Sequence, residues 1–408
     1  MDIRIGNVSG RAMVAVAVGI AVAVLPMGAG IGAARSRRGD PPTPAPSVPA
    51  LPKRLPANPD VRVCFDPPAG GHTLAVLGPF RIRGPRGSVL MDEDSLGASP
   101  VRLEGDFLAV GDRRFSAKRV DIIPEDDGTI QLNGVCYPGT LALLIGPEKN
   151  FCAVNTVPLE RYLECVIGGE MPLRWPPAAL EAQAVAARTY ALYQVITKTD
   201  LPWVMGAGED SQMYTGLKGE SPVSRRVVKD TQGKVLLYRA APIPAYYHSS
   251  CAGHTENAAV VFGGESLPPL SGVPCAWCFP PKEWELELEK KELSRMLRDA
   301  RVPVKGVRGV EAETGRNGIH RESFRIDAPD GPVTLAGEIF RKIIGPRRLR
   351  STNCIVTDQG DRILFQGKGW GHGVGMCQWG AFGMASRKYT GEEILMYYYP
   401  GADIEKIY

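Results

Sequence analysis

Histidine is scarce in this chain, five in 408 residues, and its charges almost cancel, 48 lysines and arginines against 44 aspartates and glutamates. A formal net charge of +4 demands no basic face over that length. Charge alone identifies no partner, since a weak pull toward an anionic polymer such as cell wall or nucleic acid is the most it supplies, and no nucleic-acid partner is expected. No cysteine precedes Cys64, which leaves no N-terminal thiol to carry a lipid. No internal repeat is visible. The glycine-rich C-terminal stretch "GKGWGHGVGMCQWG" neither follows a strand into a helix nor carries the lysine and serine or threonine of a Walker loop, so nucleotide binding is not expected.

What is present begins with an apolar start. Arg4 and Arg11 precede the uncharged run "AMVAVAVGIAVAVLPMGAGIGAA", which ends in small residues at Ala34. This reads as an export signal. Its strongly apolar part, Ala12 to Leu25, is shorter than the ~20 residues of a membrane span, yet the whole uncharged stretch would just cross. Residues 1–34 are thus a signal peptide or a membrane anchor, and the expected location is the cell envelope, secreted or held by this segment. Any membrane contact is expected through it alone. "PPTPAPSVPALPKRLPANP" follows within residues 35–60, a composition that gives extended, semi-rigid chain and builds no core.

The whole chain of 408 residues is 44% hydrophobic and has room for two or three domains. From 61 to 145, short apolar runs such as "VRVCF", "HTLAVLG", "TIQLNG" and "TLALLIG" alternate with glycine, proline and acidic turns, the pattern of β-strands. His72 reads there as a surface turn residue. From 146 to 408 the character changes. "VPLERYLECVIGGE" and "PPAALEAQAVAARTYALYQVI" have helical spacing, Leu180, Ala184, Ala187 and Ala191 recurring at intervals of four, three and four. Pro176 and Pro177 suit the first turn of the second helix, where no intrahelical bond is lost. Further helices are expected in "KKELSRMLRDA" and "LAGEIFRKII". Strands and helices without regular alternation argue for an α+β fold, a β-rich N-terminal region followed by a mixed core.

The chemistry starts at "CVIGGEMPLRW". Pro172 disfavours helical geometry at Met171, so Glu170 should end a helix. The negative end of the helix dipole disfavours a further negative charge there, which favours the protonated acid. Gly168 and Gly169 weaken the helix and would leave open surface around the carboxyl group. This suits a general acid with a raised pKa. Arg188, on the next helix among alanines, would either steer a polar substrate or pair with a carboxylate as plain architecture.

A second cluster lies in "YYHSSCAGHTENAAVVFGGESLPPLSGVPCAWC". Cys275 and Cys278 form a C-x-x-C pair, and Cys251 with His254 repeats that separation, which together make a Cys3His tetrahedral zinc site. The same thiols would form disulfides in an oxidising compartment, and the spacing favours metal. Four protein ligands close such a site, so zinc is expected to be structural rather than catalytic. His248 would replace His254 or face the substrate instead. The six other cysteines, Cys377 among them, have no metal spacing. In the C-terminal loop His372 and Gln378 project polar groups, while Trp370 and Trp379 would stack on sugars or fill the core.

Taken together, "VPLERYLECVIGGEMPLRWPPAALEAQAVAARTYAL", "DSQMYTG", "TQGKVLLY" with "PIPAYYHSSCAGHTENA", and "GWGHGVGMCQWGAFGMA" with "YYYPG" resemble the SpoIID/LytB family of cell-wall proteins, from about Gly146 to the C-terminus. That resemblance implies lytic cleavage of peptidoglycan glycan strands, with Glu170 of G-E-M-P as catalytic acid and Arg188 of A-A-R-T-Y functionally important. His248 joins them as a catalytic candidate, and Gln212, Tyr214, His372 and Gln378 are the substrate-binding candidates. A single acid suffices, unlike the two carboxylates of ordinary glycosidases. Some members are instead described as enhancers of a cell-wall amidase, so that partner is the alternative. Two departures stand out: Cys377 replaces the family's serine in G-M-S-Q, and Ala252-Gly253 its usual double glycine.

Overall fold

The computed structural model describes residues 57–408, apart from 67–70, 127, 147–149, 210, 279–281 and 315–318. The expected signal or anchor and nearly all of the proline-rich linker lie outside the described residues. Among the described residues no helix is long and apolar enough to cross a membrane.

The amino-terminal β runs form strands as their alternation predicts. They build two sheets. One has seven strands, in the order Met205–Gly206, Asp60–Phe65, Phe151–Pro158, Thr140–Ile145, Arg119–Pro124, Phe80–Arg83 and Val89–Glu93. The other has six and is centred on His72–Leu77 and Leu96–Glu104. Alternate residues Val61, Val63, Ile82, Val120 and Ile122 point into a shared core. His72 is not a surface turn residue. It is buried at the start of its strand, with Nε2 on the Phe65 carbonyl and Nδ1 facing the Asn133 amide, which satisfies both ring nitrogens.

The first sheet does not stop at the composition change. Its strand Phe151–Pro158 runs straight into helix α1 (Leu159–Glu170). Helix α2 (Pro177–Thr197) begins at the expected proline and is buried on nearly every side by its alanines, which let α1 and the later helices α7 (Gln378–Ala385) and α8 (Gly391–Tyr398) pack closely around it. Between α2 and these come α3 (Pro222–Asp230) and the short α4 (Ala258–Phe262). The fold is α+β.

One feature was not legible in the sequence. The chain from Glu283 to Lys368 forms a unit with its own core, in which Phe324, Phe340 and Phe365 pack together with Leu293 and Leu297. Its first strand, Glu283–Glu289, pairs antiparallel with its last, Arg362–Lys368, so entry and exit lie side by side. Helices α5 (Lys290–Asp299) and α6 (Gly337–Ile344) belong to it, and α6 reaches the pocket described next.

Candidate active site

Helix α1 ends at Glu170, and the Met171 amide closes its last turn on the Ile167 carbonyl. Gly169 lines the pocket beside the acid, as expected of open surface there, but the two glycines have a second consequence. They let the helix end pack against a loop, since a Cβ on Gly168 would sit 2.3 Å from the Gly219 carbonyl oxygen and one on Gly169 2.4 Å from that of Met213. That close approach brings the Met213 amide to the carboxylate.

Glu170 Oε1 accepts from Met213 N–H at 2.7 Å and from the Tyr247 hydroxyl at 3.0 Å, and Oε2 accepts from Gln378 Nε2 at 3.3 Å. These donors favour the ionised form, but burial opposes them and prevails: the carboxyl pKa is raised above its ordinary value. Desolvation is the leading cause. Gln378 itself is held by Gln183 Oε1 at 3.4 Å.

Glu170 lines a pocket of about 500 Å³. His248, Trp370, His372 and Gln378 also face it, and α6 contributes Glu338, Arg341 and Lys342 from the inserted unit. Two more carboxylates therefore reach the pocket, and both are ion-paired: Glu338 with Arg341 at 2.9 Å, Glu209 with Arg347 at 2.8 Å. The second pair joins the inserted unit to the core.

The backbone of Val374 sets both histidines. Its carbonyl accepts from His248 Nδ1 at 3.0 Å, while its amide donates to His372 Nδ1 at 3.0 Å. The two rings thus carry opposite tautomers. Burial pushes the His248 pKa down to about 4 and that of His372 well below its ordinary value, Arg341 adding to both effects. His248 Nε2 has no hydrogen-bond partner among the described residues. Gly371, at φ 111°, allows this crowding, because a Cβ there would lie 2.7 Å from His248 Cβ.

Three sequence candidates lie elsewhere. Arg188 is fully buried and does not line the pocket; it makes a bidentate pair with Glu160 at 2.7 and 2.8 Å. Among alanines the Glu160 carboxylate, together with Thr231 Oγ1 and the Val228 and Lys234 carbonyls, offsets the desolvation of that cation. Tyr214 is buried with its hydroxyl on Asn155 at 2.7 Å, not on the pocket wall. Gln212 sits one layer back, accepting from Tyr162 and donating to the Ala187 carbonyl, where it also contacts Tyr247. Tyr247 and Met213, which do hold Glu170, were missed. A tyrosine directly before His248 was the available signal. Trp370 lines the pocket, with Arg350 over its ring, and Trp379 packs on Trp175 and Phe382.

The metal set is also corrected. Cys251, Cys275, Cys278 and Cys377 are buried with all four Sγ atoms within 4.8 Å of one another. A tetrahedron with bonds of ~2.3 Å has sulfur–sulfur edges of roughly 3.8 Å, so four thiolates of this spacing fit a metal ion. His254 is outside the group, its Nδ1 on the Thr255 carbonyl. Cys377 replaces it because the strand Met376–Cys377 pairs parallel with Tyr247–His248, a contact across more than a hundred residues that no local spacing encodes. The family's serine position thus becomes a fourth thiol.

Comparison with known proteins agrees with the motifs. The sequence model of the stage II sporulation protein family, SpoIID, matches residues 147–238. An uncharacterised protein of Brachyspira hyodysenteriae is 35% identical over 69% of this chain and 76% of its own. The stage II sporulation protein D of Bacillus subtilis is 30% identical over 62% of this chain and 76% of its own length. The amidase enhancer of Bacillus subtilis is 29% identical over 59% of this chain but only 40% of that longer protein. With its helix-ending glutamate, its paired histidines and these relatives, the chain belongs to the SpoIID family.

Proposed function

We propose that this protein is a lytic transglycosylase acting on peptidoglycan glycan strands, with Glu170 as its single acid and base. The observation that supports this most is a carboxyl group on the wall of a 500 Å³ pocket whose pKa is raised by burial while three donors fix its orientation. Met213 and Tyr247 both occupy Oε1, so the more loosely held Oε2 is the oxygen that transfers the proton. Protonated Glu170 gives it to the glycosidic oxygen as that bond breaks. The resulting carboxylate then takes a proton from the sugar's own 6-hydroxyl as this oxygen bonds the anomeric carbon, leaving an anhydro end and restoring the acid. His248 Nε2, neutral and an acceptor, is suited to a sugar hydroxyl or amide N–H.

The four thiols are read as a structural zinc site. When bound, zinc would tie the segments carrying Cys251, Cys275, Cys278 and Cys377 together, and all four positions would be filled by protein. Export to the envelope, with residues 61–145 as an accessory β region and 146–408 as the active core, completes the reading. The likeness to an amidase enhancer supports a second one, a wall-binding module that stimulates an amidase.

Incubating the region after Ala34 with intact and peptide-stripped peptidoglycan, beside Glu170→Gln, tests both. Anhydro-ended fragments from the parent alone are expected. Binding by both proteins without fragments from either would overturn the enzyme in favour of the module.

A further inference from the structure

Three connections tie the strand Asp60–Phe65 to its surroundings, and the last of them leads to the loop that holds Glu170. Immediately ahead of it, the Asn58 side-chain oxygen accepts from Glu160 N–H at 2.7 Å and the Pro59 carbonyl from Leu159 N–H at 2.9 Å, satisfying two orphan amides at the start of α1. Within it, the Arg62 guanidinium donates to the Lys198 and Thr199 carbonyls just past the end of α2. Alongside it runs Met205–Gly206, with Cys64 opposite Gly206. The Gly206 amide in turn donates to Ser211 Oγ, in the loop whose Met213 amide holds the acid. This strand is a brace for the site, and it is also the first strand after the proline-rich spacer.

Two free thiols sit on it and on its neighbour. Cys64 lies within the strand, opposite Val154 of Phe151–Pro158, which puts Cys152 on the same face at the diagonal position. With Val154, Ala142 and Leu144 they form a small apolar cluster separate from the main core. Cys152 packs against that cluster from its partly exposed edge. Cys64 is buried and Cys152 half-buried, so a reagent can reach one of the pair. Diagonal side chains in a sheet stand farther apart than a disulfide requires, so forming the bond requires the two strands to move relative to one another.

We propose that Cys64 and Cys152 form a disulfide that locks the brace strand to the strand leading into α1 once the protein meets a disulfide oxidant. The Cys152 thiolate attacks one sulfur of the oxidant's disulfide, and the other oxidant sulfur leaves as a thiol. Cys64, its proton lost, then attacks Cys152 Sγ and expels the second oxidant thiol. Two thiols are oxidised, one disulfide is reduced, and two electrons and two protons pass to the oxidant. Export, expected from the amino-terminal sequence, is what would bring the chain to such an oxidant. The bond would close a long loop and so constrain the unfolded chain strongly. This inference is independent of which reaction the pocket performs.

The test uses the full chain, purified without reductant and equilibrated with oxidised glutathione. It is then denatured, alkylated, digested without reduction and mapped by mass spectrometry, so that bonds within the four-thiol cluster are told apart. The expected product joins the Cys64 and Cys152 peptides and disappears on reduction. Cys152→Ser should leave Cys64 alkylated. The oxidised parent should unfold roughly 5 °C above its reduced form in the transition monitored at the brace. That difference should vanish in Cys152→Ser, whose half-buried position tolerates the change if Cys64→Ser fails to fold. Alkylation of both cysteines in every molecule, or linkage of Cys64 to a different cysteine, would overturn the proposal.

Discussion

Replacing Glu170 by glutamine isolates proton transfer, because the surrounding hydrogen bonds survive the change. The amide oxygen takes the Oε1 position and keeps Met213 N–H and the Tyr247 hydroxyl. The amide nitrogen then faces Gln378 Nε2, donor against donor. Turning over the Gln378 side chain presents its oxygen to the new amide, and turning over Gln183 lets its Nε2, which has no partner among the described residues, donate to that same oxygen. One unpartnered buried atom is exchanged for another, Gln183 Oε1 in place of its Nε2, so folding stability should change by about 1 kcal/mol or less at low pH. The pH dependence has a definite sign. Because the folded pKa of Glu170 is raised, the stability it contributes is fully present below the unfolded pKa and is lost as pH rises through the folded value. Glutamine has no such loss, so the variant should gain on the parent across that window. Catalysis behaves oppositely. A positioned acid contributes about 10²–10⁴ in rate, or ~3–5 kcal/mol of barrier, and the variant should lose that much. Quantifying anhydro-ended sugars by mass spectrometry, beside a urea melt at two pH values, measures both. Product formation within tenfold of the parent would refute the acid assignment, and a stability loss above ~3 kcal/mol would refute the amide rearrangement.

Tyr247→Phe removes a donor that favours the ionised acid, so the Glu170 pKa should rise further and the alkaline limb of kcat/KM should move up by about one pH unit. A pH–rate profile that stays in place would show that the hydroxyl does not govern the acid. Metal analysis of variants separates the two ligand sets: Cys377→Ser should lose bound zinc, whereas His254→Ala should keep it, and the reverse would restore the ligand set read from local spacing. Arg188→Met strands a buried Glu160 carboxylate and should cost about 3–5 kcal/mol, most of it recovered when Glu160→Leu is added. KM measured below the melting temperature should be unchanged, and a raised KM would return Arg188 to the substrate.

The sequence was most informative where the physics is local. Pro172 sets the end of α1 at Glu170, the proline pair sets the start of α2, and period-two runs set the amino-terminal strands, all within one turn or one pleat of the residues that signal them. It was least informative where partners are distant. Cys377 joins Cys251 through strand pairing across 126 residues, and Arg188 meets Glu160 from a neighbouring helix. Gly168 and Gly169 show the difference at one position: their helix cost is visible in the sequence, but the carbonyls that require them, on Met213 and Gly219, are not. The inserted unit escaped notice because its strands and helices are spaced like those of the core around it.

The surroundings of Glu170 bear on the choice between a catalyst and a wall-binding module. A module that only docks on glycan gains from aromatic faces and exposed donors, and a solvated carboxylate serves it at no cost. Here the carboxylate is instead half-buried on a pocket wall, where desolvation raises its pKa, and fixed by a main-chain amide, a tyrosine and a glutamine from three separate segments. Each contact requires its own long-range packing: two glycines at the end of α1, a histidine strand paired with Met376–Cys377, and a loop braced by the first strand. Such an arrangement gives binding nothing that an exposed glutamate would lack. It does give proton transfer a fixed oxygen and a raised pKa, the two quantities on which general acid catalysis depends.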